Sequence, residues 1–586
     1  MKRAIAGVLM GVAMSVTMQA RAAASAEDEF RKASDEFLDQ VYFRYQPSQG
    51  TLAGYHQYDI SLEDFSQATI ENEIKMLKEF EQRIDAIPGD PASLNLTSRG
   101  DRAIVLGTIR SWLLNLETIR MWQKDPDSYS STAANGVFTI VERNYAPAEE
   151  RMRAVIAREK QIRILLNEAR ANLKNPPRIY TEIAIEQLPG TIGFFQSDVP
   201  QAFADVKNSK LKKEFAETNN AVVEELRAYL AWLKKELLPR SKGDFRIGAD
   251  AFAKKLQYDE MVDTPLDRLL EIGRADMKKN QAQFNAIAAE LEPKKNPREV
   301  LEELGSDHPA PGQLLDSFRA TFTSLESFIR THRIVTLPSN QQPILEETPP
   351  FMRATTFAAM DTPGPYETRA LDAYFDVTLP DKSMTPAQVE SYMHSFNVGT
   401  IISTSVHEAY PGHFVQFLWA PQAPNRVRKL LGANTNVEGW AHYCEQMMLD
   451  EGYGQPGTGA KDEREAKLFR LGQLQDALLR DARFIVGIEM HTGKMSFDQA
   501  VEFFQKQGYQ SRETALVEAK RGTSDPTYLY YTLGKLEIMK LRDDVKKKQG
   551  ASFSLQKFHD DFLAQGFPPI KIVREAMLGD DSPALQ

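Results

Sequence analysis

The chain has 586 residues, a formal net charge of −10 and a pI near 5.6, and it carries no basic stripe of the kind a phosphate backbone needs, so no nucleic-acid partner is expected. Its single cysteine, Cys444, excludes an internal disulfide and leaves stability to core packing. Length alone would allow roughly three or four cores, although large helical enzymes can bury one continuous core over such a chain.

Lys2 and Arg3, an apolar run from Ala4 to about Met18 and the small residues Ala20, Ala22, Ala24 and Ala26 read as a secretory signal peptide. Of two small-x-small frames, Ala20-Arg21-Ala22 and Ala24-Ser25-Ala26, the second is preferred because Glu27-Asp28-Glu29 follows at once. The expected division is a 1–26 leader and a 27–586 body. The run is shorter than the ~20 residues a membrane span needs, so no stable membrane insertion is expected after cleavage. No cysteine lies near the cleavage point, so a lipid-anchored precursor is not expected, and the location is read as secreted and periplasmic.

From Glu27 to about Gly89 the pattern predicts mostly helix, with Phe30, Phe37 and Val41 on one face and Ile70, Ile74, Leu77 and Ile84 repeating the 3.6-residue period. Pro88-Gly89-Asp90-Pro91 stops it. Further helices are predicted over 98–123, over 147–175, over 210–238 and over 265–291. In the second of these, Ala148-Glu149-Glu150 loads acid into the start and Asn175-Pro176-Pro177 ends it. Between Pro338 and Lys382 prolines accumulate, and Tyr374 to Leu379 reads as a short strand. After Met384 the pattern is helical again to Arg542.

Histidine is scarce, nine in the chain, yet His407-Glu408-Ala409-Tyr410-Pro411-Gly412-His413 sets two of them around a glutamate. Zinc peptidases usually space the histidines four apart on one helix. A separation of six rotates them by roughly 240° on an ideal helix, which points the rings apart. Pro411 and Gly412 offer a repair, because a helix should bulge or break there and could restore convergence. The alternative is that His407 packs a helix and Pro411-Gly412 is only a turn. Downstream, Glu438-Gly439-Trp440-Ala441-His442-Tyr443-Cys444-Glu445 supplies carboxylates on one helical face. Catalytic zinc wants three protein ligands and an open fourth position, so Glu438 is the natural third ligand to one Zn2+ per chain. Glu445 could orient a ligand histidine from behind. His442 is a rival ligand, and Cys444 reads as a small hydrophobe. Glu408 is then the general base. An oxyanion donor is sought among Tyr528, Tyr530 and Tyr531, which equally well pack as core aromatics.

At these residues the chain resembles the bacterial proteins grouped as domain of unknown function 885, which look like glutamate-zincin metallopeptidases. His407 to Gln416 is similar to the family's His-Glu-x-x-Pro-Gly-His-x-x-Gln signature, Glu438 to Glu445 to a second, and Pro526 to Arg542 to a third. The resemblance implies a mainly α, large multi-helix peptidase-like body around a deep cleft, with a small β element near 370–380. It implies His407, His413 and Glu438 as metal ligands, Glu408 as base, and Tyr531 as the tyrosine best placed for transition-state contact. It adds His491 to the catalytic candidates and Arg483 and Arg542 to the substrate-binding ones. At 442 the family's usual residue is apolar, so His442 is not expected to be a ligand.

The expected activity is hydrolysis of short peptides by a secreted zinc peptidase. Alternatives are a zinc amidase acting on cell-wall peptides, and a non-catalytic helical binding protein, against which the presence of Glu408 argues. A carboxylate clamp could come from Arg483, Arg521, Lys535 or Arg542.

Overall fold

The computed structural model describes residues 26–349, 351–353 and 356–585, so the predicted leader lies outside it apart from Ala26. The chain is mainly α-helical with one small sheet. The predicted helix over 147–175 is Ala148–Asn172, started by Pro147 with Glu149 and Glu150 in its first turn, where carboxylates complement the unsatisfied N–H groups. That over 265–291 is Leu266–Leu291, entered from Pro265. That over 210–238 is Ser209–Trp232 extended by a π-helical turn, Leu233–Leu237. That over 98–123 is Leu96–Leu113, followed by a π-helical turn, Leu114–Ile119, and a reversal at Arg120 with φ 57°.

The first predicted segment is mostly helical, as expected, but in separate pieces. Residues 26–37 are helical, but Pro47 opens a new helix, Pro47–Ala53, and Gly54 ends it in the left-handed region at φ 96°, before Gln67–Asp85. Proline cannot donate to the preceding turn and glycine accepts positive φ, so the apolar period continues across a real break in the backbone. Two further helices, Pro126–Glu142 and Arg178–Gly193, were not predicted, although Asp125 caps the first ahead of Pro126 and Pro177 precedes the second.

Buried side chains knit distant stretches together. The first helices pack with Val427, Leu431 and Ile572, while those between 126 and 237 form a core of their own. Residues 252–304 interleave with 468–533. The remaining core surrounds the 401–415 segment and includes Trp440, Phe558 and Phe562.

The predicted strand is Tyr374–Val377 (β3), central in a three-stranded sheet of order β1-β3-β2. β1, Ile344–Glu347, runs parallel to it with Ile344 opposite Tyr374, and β2, Ala358–Asp361, runs antiparallel with Ala358 opposite Val377. The buried Phe375 of β3 lies 5.3 Å from Phe318 and 6.0 Å from Phe322, on the helix Leu314–Thr331. β2 is an edge strand, and its Ala358, Ala359 and Met360 line the main cavity.

Glu159 illustrates a strained feature of this helical body. It is 2% exposed, one carboxylate oxygen accepts from the Thr218 hydroxyl, and the other has no partner among the described residues. Burial raises its pKa to about 8, against a partial lowering by that hydrogen bond. A raised carboxyl contributes stability that is present below its unfolded pKa and lost as pH rises through the folded value. Glu159→Gln is therefore expected to match the parent Tm near pH 5 and exceed it near pH 9, by on the order of a few kcal/mol of stability. Thermal unfolding at the two pH values checks this, and an equal effect at both would contradict it.

Candidate metal centre

Several helices of the C-terminal half contribute to one site. His407 and Glu408 end the helix Val398–Glu408, whose start is capped by the Asn397 side chain accepting from Gly399 and Thr400 at 3.0 and 3.1 Å. The helix then breaks: Ala409 closes it, Tyr410 to Gly412 loop out, and a new helix starts at His413 and runs to Trp419. Gly412 makes the break possible. A Cβ there would sit 1.7 Å from the His407 carbonyl oxygen, and the Gly412 N–H donates to the Val406 carbonyl at 3.0 Å. The loop is tied down from outside by the Trp440 indole N–H, which donates to the Pro411 carbonyl at 2.9 Å.

The break turns the two imidazoles toward each other, with ring centroids 4.8 Å apart and planes at 87°. Glu438 enters from the helix Asn434–Asp450. One of its carboxylate oxygens, Oε2, lies 3.4 Å from His407 Nε2 and 3.3 Å from His413 Nε2, and the three ligand atoms all fall within 4.8 Å of one another. Those separations exceed ordinary hydrogen bonds, and Glu438 Oε2 is buried without a hydrogen-bond partner among the described residues. Ligands about 2.0–2.1 Å from a tetrahedral zinc ion lie about 3.3–3.4 Å from each other. Two imidazole nitrogens and a carboxylate in this arrangement fit such an ion.

Behind the ligands is a charged network. His407 Nδ1 lies 2.6 Å from Glu445 Oε1, Arg480 NH2 lies 3.1 Å from that oxygen, and His442 Nδ1 lies 3.0 Å from Glu445 Oε2. Burial would push the Glu445 carboxyl up, but the Arg480 guanidinium and the His442 and His407 imidazoles hold it well below the usual carboxylate range. Burial would likewise lower His407, yet Glu438 and Glu445 on its two nitrogens raise it to about 9. His442 is driven by burial to about 3 and stays neutral. It is a partner of Glu445 and lies outside the ligand cluster. Cys444 is buried among apolar side chains, with its thiol pushed well up by burial.

Glu408 lines a cavity of about 1020 Å3 together with His407, His413, Glu438 and Tyr531. Its carboxylate makes no hydrogen bond or ion pair among the described residues, whereas Arg480, Arg483 and Arg521 of the same cavity are all engaged. Arg483 holds Glu518 through two contacts of 2.6 and 2.8 Å, and its guanidinium sits 4.7 Å over the Tyr531 ring. Arg521 donates to the Tyr531 hydroxyl at 3.0 Å, which leaves the phenol O–H free to donate onward. Burial raises the Tyr531 pKa against the lowering by Arg521, so the phenol keeps its proton at neutral pH. The cavity wall opposite comes from the N-terminal half, with Asp125, Asp127, Tyr180 and Glu186.

Two predicted residues stand elsewhere. His491 lies eight residues beyond Arg483 and Arg542 eleven beyond Tyr531, the last cavity residues on their helices, which is about 12 and 16 Å of axial rise. His491 Nε2 donates to the Gly522 carbonyl at 2.7 Å, and burial lowers its pKa to about 4. Arg542 sits over Tyr443 at 5.6 Å and donates to its hydroxyl at 3.4 Å. Neither lines the cavity. Sequence reasoning missed Arg480, although it precedes Arg483 by three and so shares its helical face. It also missed Trp440 as the anchor of the loop, and Glu260, whose carboxylate accepts from the Asn434 and Thr435 N–H groups at 3.2 and 2.9 Å and caps the Glu438 helix. Only Trp440 carried a local signal, its place inside the second motif.

The chain belongs to the family described as "Bacterial protein of unknown function (DUF885)", which matches residues 47–577. No curated protein matches it significantly. Among solved structures, one described as a "putative lipoprotein of unknown function" from Shewanella oneidensis is similar at 26% identity and a TM-score of 0.75, over 94% of this chain and 99% of its own. Another, the "putative lipoprotein" from Colwellia psychrerythraea, shares the fold at 17% identity and a TM-score of 0.73, over 94% and 98%.

Gly412→Ala is expected to abolish cation binding between His407, His413 and Glu438, because the added methyl group forces the loop off His407 and separates the two imidazoles; the loss of one zinc equivalent relative to the parent after dialysis against zinc checks this, with circular dichroism to confirm folding. Glu445→Gln should weaken zinc affinity by roughly 10- to 100-fold while leaving the three ligands in place. Competition with a chromogenic chelator measures it.

Proposed function

We propose that this family member is a glutamate-zincin-like, zinc-dependent peptidase that hydrolyses short peptides outside the cytoplasm, with His407, His413 and Glu438 holding one zinc ion and Glu408 acting as general base. The observation that carries this reading is the convergence of three ligand atoms, with Glu438 Oε2 at about the spacing of tetrahedral zinc ligands from both imidazole nitrogens, and an unpaired carboxylate beside them on the cavity wall. A bound divalent ion would supply Lewis acidity toward the scissile carbonyl and lower the pKa of water at its open position.

The chain's own groups supply the rest. Glu408 takes the proton of the attacking water and returns it to the leaving amine. Tyr531, kept protonated by burial and fixed by Arg521 and Arg483, donates its O–H to the developing oxyanion. Glu445 accepts from His407 Nδ1 and so directs Nε2 into the cavity. Peptide rather than another carbonyl substrate is favoured by β2, an edge strand whose residues line the same cavity and whose backbone can pair with an extended chain. Enclosure by both halves of the molecule suits short, unfolded substrates. An envelope location accords with the leader-like N-terminus and with the lipoprotein description of the two similar structures. No described helix is long and apolar enough to cross a membrane.

Elemental analysis of the purified protein and of Glu438→Ala, each assayed against a mixed peptide library with product masses read out, tests the reading. One equivalent of zinc should be lost in the variant together with cleavage. Glu408→Gln should keep the zinc and lose about 10²- to 10⁴-fold in rate. Protein prepared with zinc available that binds none at this site, or Glu408→Gln at full activity, would overturn it.

A further inference from the structure

A second group of ligating side chains stands at the edge of the same cavity. His308 lies in the loop that follows the helix Pro297–Gly305, and Glu390 and His394 lie on and just after the helix Pro386–Met393. Glu390 and His394 are four apart and share one helical face. His308 reaches them from 82 residues away in sequence. Glu390 Oε1 lies 3.3 Å from His308 Nε2 and 3.6 Å from His394 Nε2, and the ligand atoms fall within 4.8 Å of one another.

The tautomer of His308 is set. Its Nδ1 lies 2.9 Å from the Pro309 carbonyl, which can only accept, so Nδ1 carries a proton and Nε2, which faces Glu390, is the nitrogen left to take a cation. This is how metal-ligating histidines are commonly oriented. The His308 side chain is only 10% exposed, so its position does not depend on an ion. His394 is steadied by Gly305, where a Cβ would come within 3.0 Å of the imidazole, and both residues line the cavity that holds His407. Glu390 is 60% exposed and faces solvent.

We propose that His308, Glu390 and His394 form a second cation site on the rim of the cavity, selective for a borderline transition ion such as zinc. Two imidazole nitrogens and one carboxylate oxygen favour such ions over calcium or magnesium, which take oxygen ligands. Occupancy ties the 306–310 loop to the 386–396 segment, two stretches joined here by no other covalent or charged link among these three side chains. The proposal is independent of whether the protein cleaves peptides.

The test uses full-length Glu438→Ala, in which the inner ligand set is broken, dialysed against micromolar zinc, with metal per chain and the zinc-dependent shift in Tm as readouts. The expected result is one zinc per chain and a rise in Tm on adding zinc, both lost when His308→Ala and His394→Ala are added. Glu390→Gln in the same background keeps both imidazoles and should bind zinc roughly tenfold or more weakly, and unchanged zinc-free Tm values show that the variants fold. Glu438→Ala that binds no zinc, or zinc retained after both rim histidines are removed, would overturn the proposal.

Discussion

The candidate site depends on one constraint: two histidines six residues apart must face a common point, which a continuous helix forbids. The chain meets it by ending one helix at Glu408 and starting another at His413, with the intervening loop folded back onto the first helix. That fold-back needs a residue without a side chain at 412, where the backbone runs against the His407 carbonyl. It also needs a hold on the loop, which the Trp440 indole supplies through Pro411. Since Trp440 and Glu438 are two residues apart on one helix, the same element that offers the carboxylate fixes the loop that aligns both imidazoles.

A second requirement follows from placing this much charge in the interior. Glu445 is fully buried, and a lone buried carboxylate would protonate. Arg480 and two imidazoles prevent that. The network spans three helices, and removing one member leaves the others uncompensated, so its stabilising effect belongs to the set and not to any pair. Arg483 with Glu518 and Lys535 with Asp276 repeat the pattern on the Arg480 helix and its neighbours. Glu408 stands outside it, with no hydrogen bond or ion pair among the described residues and its side chain on the cavity wall.

The two ligand motifs were legible in sequence because they are local. Pro411 and Gly412 announce a break, and Glu438 and Glu445 share a face, so the geometry could be argued before any coordinate. The mainly helical class and the strand at 374 were legible for the same reason, through period and composition. What sequence could not give was contact at a distance. Arg480 acquires its role only by facing Glu445 from another helix, and Glu260 caps a helix 174 residues away. His491 and Arg542 fail in the opposite way. Each sits on a helix that does reach the cavity, but about two and three turns further on, and motif likeness carries no information about where along a helix the cavity ends. The apolar period between residues 27 and 89 misleads similarly, since it persists across the breaks at Pro47 and Gly54 that redirect the chain.

Why a small ligand set should need so large a helical body becomes clearer from where backbones touch. Gly399 on the His407 helix packs against Gly472 on the Arg480 helix, and a Cβ on the first would lie 2.3 Å from the Leu468 carbonyl oxygen. Gly439, next to Glu438, packs against Gly534 on the Tyr531 helix, where a Cβ would lie 2.6 Å from the opposing Cα. At both crossings main chain meets main chain with no side chain between, so helix spacing is set by the least compressible contact available. His407, Glu408, Glu438 and Tyr531 therefore stand on a frame whose dimensions side-chain rotamers cannot alter, and the long helices around it bury the apolar surface that keeps those contacts closed. On this account the bulk of the chain serves the positions of a few atoms, and the N-terminal helices that close the cavity set the size of what can reach them.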